Sequence, residues 1–225
     1  MKFVFDSRAS DSPFVEEVWQ TQSEGGGSFI SSASSNVEMI VTKQKNAIHF
    51  SVRGPETKAS LAPIPEDAEF LGILFKVGTF LPHLPVDQLI DGGITLPEAA
   101  SHSFWMQGSA WEFPTFENAD TFVRRLVRQG LLAHDPIVGA ALQGQLTDLS
   151  ARSVQRRFRR VTGVTHGLMV QIERARYAMN LLQQGVPILD TVEQAGYYDQ
   201  QHLTRSLKHL IGNTPARLMD NIADE

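Results

Sequence analysis

The last third of the chain repeats itself at an offset of 49 residues, and the repeated residues divide into an apolar set and a basic set. Val154, Phe158 and Val161 return as Leu203, Leu207 and Leu210, and Arg156 and Arg159 return as Arg205 and Lys208. Gly163 and Thr165 return as Gly212 and Thr214. Spacings of three and four put the apolar trio on one narrow stripe of a helix and the basic pair nearly opposite it. The sequence therefore predicts two similar helices, each anchored in a core and each turning a cationic face to solvent. Two copies are too few for a solenoid, so the duplication predicts one supersecondary unit used twice, against a partner that is itself contacted twice.

The flanking residues predict how the two copies are mounted. Asp135-Pro136 can open a short helix running to about Gln143, and Ser150 is a good N-cap for the first repeated helix. A long helix follows from about His166 to Gln183, with Leu168, Ile172, Ala175, Met179 and Leu182 on one stripe. At about 1.5 Å per residue it spans roughly 27 Å, close to the roughly 34 Å between successive major-groove faces of B-DNA. Gly185 ends it, Pro187 opens another short helix reaching Ala195-Gly196, and Asp199 caps the second repeated helix. That helix turns Gln201, Arg205 and Lys208 outward, with His202 and Thr204 on its flanks. Short helix, turn and polar-faced helix is the helix-turn-helix plan, and Arg and Gln are the side chains whose forked groups match guanine and adenine edges.

The charge distribution supports a polyanionic partner for this part only. The whole chain carries a net charge of −5. Residues 1–133 hold 10 Lys+Arg against 16 Asp+Glu, whereas residues 134–225 hold 10 against 9. Within residues 150–176 there are seven Arg and one acid, Glu173. Distribution, and not the total, decides where a polyanion can sit. With no cysteine, disulfides, Cys-based zinc sites and thiol nucleophiles are excluded. No run approaches the roughly 18 apolar residues of a membrane span, and MKFVFDSRAS lacks the apolar core of a signal peptide, so a cytoplasmic protein without a membrane partner is expected.

The first 80 or so residues are predicted to be mainly β, from period-2 alternation. Val37, Met39 and Val41 alternate with polar residues, as do Ile48, Phe50 and Val52, across a turn at Lys45-Asn46. Glu69 to Val77 is a more continuously apolar strand, expected to be buried on both faces. Gly25-Gly26-Gly27 and Ser31 to Ser35 are expected to be flexible turns; no Gly-Lys-Ser/Thr follows the glycines, so a phosphate loop is disfavoured. Proline-broken sequence from Pro82 leads to a helix predicted over Phe116 to Arg128, with Phe122, Val123 and Leu126 inward. Gly130 and Asp135-Pro136 mark the expected division into a β-rich unit, residues 1–130, and a helical unit, residues 135–225.

Residues 135–220 resemble the AraC/XylS family of bacterial transcription regulators. The resemblance rests on AGYYDQQHLTRSLKHLIGNTPARL, with Gly196-Tyr197, Asp199-Gln200, Leu203 with Arg205, and Gly212-Asn213-Thr214-Pro215 in the family's order. LSARSVQRRFRRVTG matches through Ser150, Val154, Arg156, Phe158 and Gly163, and RARYAMNLL resembles the linking helix through Arg174, Ala178 and Leu182. The chain departs from the pattern at Gly144 and Asp148, where the family tends to have alanine and a turn glycine, and at Thr191-Val192 in place of Ile-Ala. The resemblance implies an α+β chain: a β-rich, cupin-like N-terminal domain, then an all-α double helix-turn-helix domain with a linking helix. It implies double-stranded DNA as partner, read in two adjacent major-groove segments. The contact residues it points to are Arg152, Gln155, Arg156 and Arg159 in the first unit and Gln200, Gln201, His202, Arg205 and Lys208 in the second. Arg160, Thr165 and Thr214 are further candidates for gripping phosphate.

Family members commonly bind an effector or self-associate through the first domain, so a small molecule, a second copy and RNA polymerase are further candidate partners. His49 and Arg53, on one face of a predicted strand, and Trp105 and Trp111, among Phe104 and Phe113, are the candidate effector residues, with solvated strand face and plain core as the competing roles. Isolated His49, His83 and His102 make no His-x-His pair, so a cupin-like metal enzyme is disfavoured, and no cofactor or reaction is expected. An interaction protein on the same scaffold without DNA binding is the other alternative, opposed by the retained Arg152, Arg156, Gln201 and Arg205.

Overall fold

The computed structural model of the chain describes residues 4–100, 102–142, 144–145 and 149–220. Strands β1 (Val4–Ala9), β2 (Val15–Gln22), β3 (Gly27–Ser31), β4 (Glu38–Gln44), β5 (Ala47–Arg53), β6 (Ser60–Ile64) and β7 (Ala68–Phe75) come first. They are followed by β8 (Thr79–Phe80), a 3-10 turn at Val86–Gln88, β9 (Gly93–Leu96), β10 (Glu98–Ala99), β11 (Ser103–Met106), β12 (Ser109–Glu112), helix α1 (Ala119–Arg128) and β13 (Ala133–His134). Helices α2 (Pro136–Leu142), α3 (Ala151–Thr162), α4 (His166–Gln183), α5 (Ile188–Gln194), α6 (Gln200–Leu210) and α7 (Pro215–Asp220) make up the rest. The chain is α+β, a β-rich first half followed by a helical second half. The predicted end of the first short helix at Gln143, and Asp148, lie outside the described residues.

The main sheet is six-stranded in the order β1-β2-β7-β4-β5-β9. β4 and β5 form the predicted hairpin: Gln44 pairs with Ala47 across Lys45-Asn46, and Lys45 takes a φ of 53°. β7 lies between β2 and β4, as its apolar run predicts, but it starts and stops earlier than expected and Glu69 is exposed at its end. One face of the sheet carries Met39, Phe50, Val52, Leu71 and Ile73 into the main core. Phe104 and Trp111 of the small β10-β11-β12 sheet, and Phe122, Val123 and Leu126 of α1, close that core. Phe50 and Phe104 stack at 4.1 Å between ring centroids. The other face is covered in part by the two-stranded β3-β6 sheet, whose strands are separated in sequence by β4 and β5. There, Gly72 is required by a close approach: any Cβ would fall inside the Trp19 indole, so its absence lets the ring lie flat across β7.

Two expectations are corrected. The helix predicted from Phe116 begins at Ala119, because Pro114 and Thr115 lead into a turn in which the Thr115 amide donates to Asn118 Oδ1 at 2.8 Å. Phe116 instead stays in that loop, with its carbonyl accepting from Arg8 Nη2 at 2.7 Å and its ring under the guanidinium. Nor is the serine-rich stretch a free turn: Gly27 to Ser31 form β3, and Ser32 to Ser34 are bound to other parts of the chain. The Ala33 amide donates to the Leu210 carbonyl at 2.7 Å, and Ser34 bridges to Glu56.

In the second half α4 is the axis. Its N-terminal Met169 joins Val138, Phe158, Val161 and Val164 in one small core, and Ile172, Ala175, Ala178 and Leu182 join Leu203, Leu207 and Leu210 in another. Each repeated helix thus buries the predicted trio on α4, with Val154 as the least buried member. Thr191, the departure at the α5 crossing, is fully buried and satisfies its hydroxyl by donating to the Val186 carbonyl at 3.4 Å.

Candidate nucleic-acid interface

The repeat extends to the ends of both helices. Ser150 caps α3 by accepting from the Ser153 amide at 3.3 Å, and Asp199, at the equivalent position, caps α6 by accepting from the His202 amide at 2.6 Å. Gly163 and Gly212 follow the two helices with φ of 71° and 81°, the left-handed geometry that ends a helix without a side-chain penalty. Thr165 and Thr214, candidates for gripping phosphate through hydroxyl or amide, accept from the Leu168 and Arg217 amides at 3.2 and 3.3 Å and so start α4 and α7.

Those side chains point outward. Arg152, Gln155, Arg156 and Arg159 on α3 are exposed, as are Gln200, Gln201, Arg205 and Lys208 on α6, while His202 is half-buried against the Tyr197 ring. Among the described residues neither Arg156 nor Arg205 has a hydrogen bond or ion pair within the chain. Other arginines of the basic run have internal roles. Arg157 donates to Asp135 Oδ2 at 2.9 Å, and Arg160 lies 3.8 Å from the same oxygen. Arg174 donates to the Gly196 carbonyl at 3.3 Å and lies over the Tyr197 ring at 4.5 Å, locking the linking helix to the turn before α6. One residue of difference, Arg156 to Arg157, turns a side chain by about 100° and from solvent to a buried carboxylate.

Both repeated helices touch the β-rich half at their C-terminal ends. The Leu210 and His209 carbonyls in the last turn of α6 accept from the Ala33 and Ala59 amides at 2.7 and 2.8 Å, satisfying groups that a helix end otherwise leaves open. Gly212 lies so close to Ile30 that no side chain could be added there. Equivalently, a Cβ on Gly163 would lie 3.0 Å from Ile90 and 3.1 Å from Val86. Sequence alone did not reveal these contacts, because backbone amides and glycines carry no sign of a distant partner.

The β3-β6 sheet, next to the residues that hold α6, also covers a cavity of about 710 Å³ on the open face of the main sheet. Arg53 lines it and donates to Glu56 Oε1 at 3.0 Å, and the Ser31 hydroxyl bonds to the other oxygen of Glu56. Glu38, also lining it, accepts from Trp19 Nε1 at 2.6 Å. Burial pushes the Glu38 carboxyl up to about 7, against the opposing pull of the Trp19 hydrogen bond and of Arg53. Of the four effector candidates only Arg53 lines this space. His49 is exposed on the same strand, Trp105 is 46% exposed, and Trp111 is in the main core beneath Arg125. Glu38, Glu56 and Trp19 were missed; the available signal was a charged residue at the start of an alternating strand, Glu38, directly across the register from Arg53.

Among the described residues no three His, Cys, Asp or Glu side chains gather as a metal site, and no helix is long and apolar enough to cross a membrane. A family model described as a helix-turn-helix domain matches residues 145–221. A search of curated protein sequences returns no match. Among solved structures, ToxT from Vibrio cholerae O395 is similar over 98% of this chain and 99% of its own, at 8% identity and a TM-score of 0.44. ToxT bound to (E)-4-(8-methylnaphthalen-1-yl)but-3-enoic acid is similar over 97% and 99%, at 8% identity and a TM-score of 0.45. Two capped helix-turn-helix units on one linking helix coincide with the family match, so the second half of the chain holds a helix-turn-helix domain.

Proposed function

We propose that this chain is a one-component, sequence-specific transcription regulator in which residues 135–225 bind DNA and residues 1–130 carry the control. α3 and α6 each enter a major-groove segment, and Arg152, Gln155 and Arg156, with Gln200, Gln201 and Arg205, reach base edges from the first turns. Arg159 and Lys208, a turn further along, grip phosphate, and His202 buttresses the second unit at its edge. The observation that carries this reading is the matched pair of exposed cationic faces, with Arg156 and Arg205 at equivalent positions and without an internal partner among the described residues.

Control is proposed to act through geometry and without chemistry. A small molecule in the cavity beneath the β3-β6 sheet would shift that sheet, and Ala33 and Ala59 would pass the shift to the last turn of α6. A ligand moves such an equilibrium only by as much as it prefers one arrangement over the other. Self-association through the first half belongs to the same proposal.

Fluorescence-anisotropy titration of the purified protein against DNA tiled from the region upstream of its own gene, at several salt concentrations, tests the DNA-binding reading. One tile should bind on the order of 10³-fold or more tightly than the rest, with a steep negative salt slope. No binding to any tile even at low salt would favour an interaction protein on the same scaffold.

A further inference from the structure

The cavity under the β3-β6 sheet has a charge balance that its arginine conceals. Among the described residues Arg53 is the only cation lining it, and that charge is already matched by Glu56 at 3.0 Å. The second oxygen of Glu56 is taken by the Ser31 hydroxyl. This leaves Glu38 as an unmatched acid: its one hydrogen bond among the described residues comes from Trp19 Nε1, an uncharged donor. An anionic ligand would have to compete with Glu56 for Arg53 and accept Glu38 as a neighbour.

The walls are of the kind that complements such an excess. Phe5, Trp19, Phe29 and Phe70 line the cavity, with Phe5 and Trp19 stacked at 5.9 Å between centroids. Gly72 lets the Trp19 ring lie close against β7. Phe5 and Phe29 are 59% and 50% exposed although they line a cavity, which is surface that a bound apolar body would cover. Thr21, whose buried hydroxyl has no partner among the described residues, is on the same lining. Aromatic faces attract a cation through their quadrupole, and a carboxylate beside them adds a counter-charge. A volume of about 710 Å³ suits a drug-sized molecule.

We propose that this cavity binds an organic cation with an apolar body, its ammonium group between Glu38 and the aromatic walls. This rests on the effector-controlled reading above and gives that effector a chemical class. Glu38 is the specificity-determining residue: it distinguishes a cation from neutral and anionic molecules of the same shape, while Arg53 holds Glu56 in place.

The test uses one carbon skeleton with three charges: 4-phenylbutylamine, 4-phenylbutan-1-ol and 4-phenylbutanoate, titrated calorimetrically into the full chain at pH 8. The amine should bind about tenfold or more tightly than the alcohol, and the acid more weakly than either. In Glu38→Gln, which keeps an oxygen for Trp19 Nε1, the amine should lose that advantage and the alcohol should be unaffected. Arg53→Gln, a second and independent variant, should strengthen amine binding by releasing Glu56. Tightest binding of the acid, equal binding of amine and alcohol, or no binding of any of them overturns the proposal. Titrating the same preparations with the tight DNA tile keeps the two claims apart. Specific DNA binding without amine binding removes only the cation site, whereas absent DNA binding removes the regulator reading whatever the amine does.

Discussion

Replacing both Arg156 and Arg205 with alanine should abolish sequence-specific DNA binding while leaving the fold intact. Both side chains are exposed and neither has an internal partner among the described residues, so removing them leaves no buried group unpaired. A base-reading arginine is worth about 1 to 3 kcal/mol at its own site. The two sit on different helices with separate cores, so their losses should add, to roughly 2 to 6 kcal/mol, or on the order of 30-fold to 10⁴-fold in affinity. Binding to scrambled duplex should fall far less. Anisotropy on cognate and scrambled DNA separates this from loss of phosphate contacts, which lowers both alike and makes the salt slope shallower. Equal loss on the two duplexes would remove the base-reading role.

Phe158→Ala should be the most destabilising single change in the second half, at about 3 to 5 kcal/mol. Phe158 is fully buried, and its small core contains Val138, Val161, Val164 and Met169, with Val77 and Phe80 of the β-rich half packed against it. The cavity left behind lies both within the first helix-turn-helix unit and where that unit meets β8, so it weakens a fold and a junction together. Denaturant unfolding should show a lowered midpoint. Retained midpoint would mean that the site collapses around the smaller side chain.

How much of this was legible in the sequence depended on whether a feature was local. The repeat showed itself through Val154/Leu203 and Arg156/Arg205 because a helix turns sequence spacing directly into faces, and the caps Ser150 and Asp199 act within their own first turns. The β4-β5 hairpin was legible for the same reason, since a two-residue turn fixes its register. Ser31 to Ser35 misled because serine marks turns only when nothing else claims the backbone. Here the Leu210 carbonyl, far away in sequence, claims Ala33. Arg53 could be placed on a strand face, but only the structure puts Glu56 beside it and Glu38 across from it. Trp111 and Arg53 had equal claims as effector residues in the sequence, and packing separated them into core and cavity.

The central claim is that one chain reads two neighbouring groove segments with α3 and α6. Guanine-methylation interference on the tightest-binding tile tests this most directly, since N7 methylation blocks major-groove contacts. The account predicts two sensitive patches centred about one helical turn, or roughly 10 base pairs, apart on the same face of the duplex. The patch read by α6 should disappear in Arg205→Ala and the other in Arg156→Ala. A single patch, unaltered in position by either substitution, would contradict it.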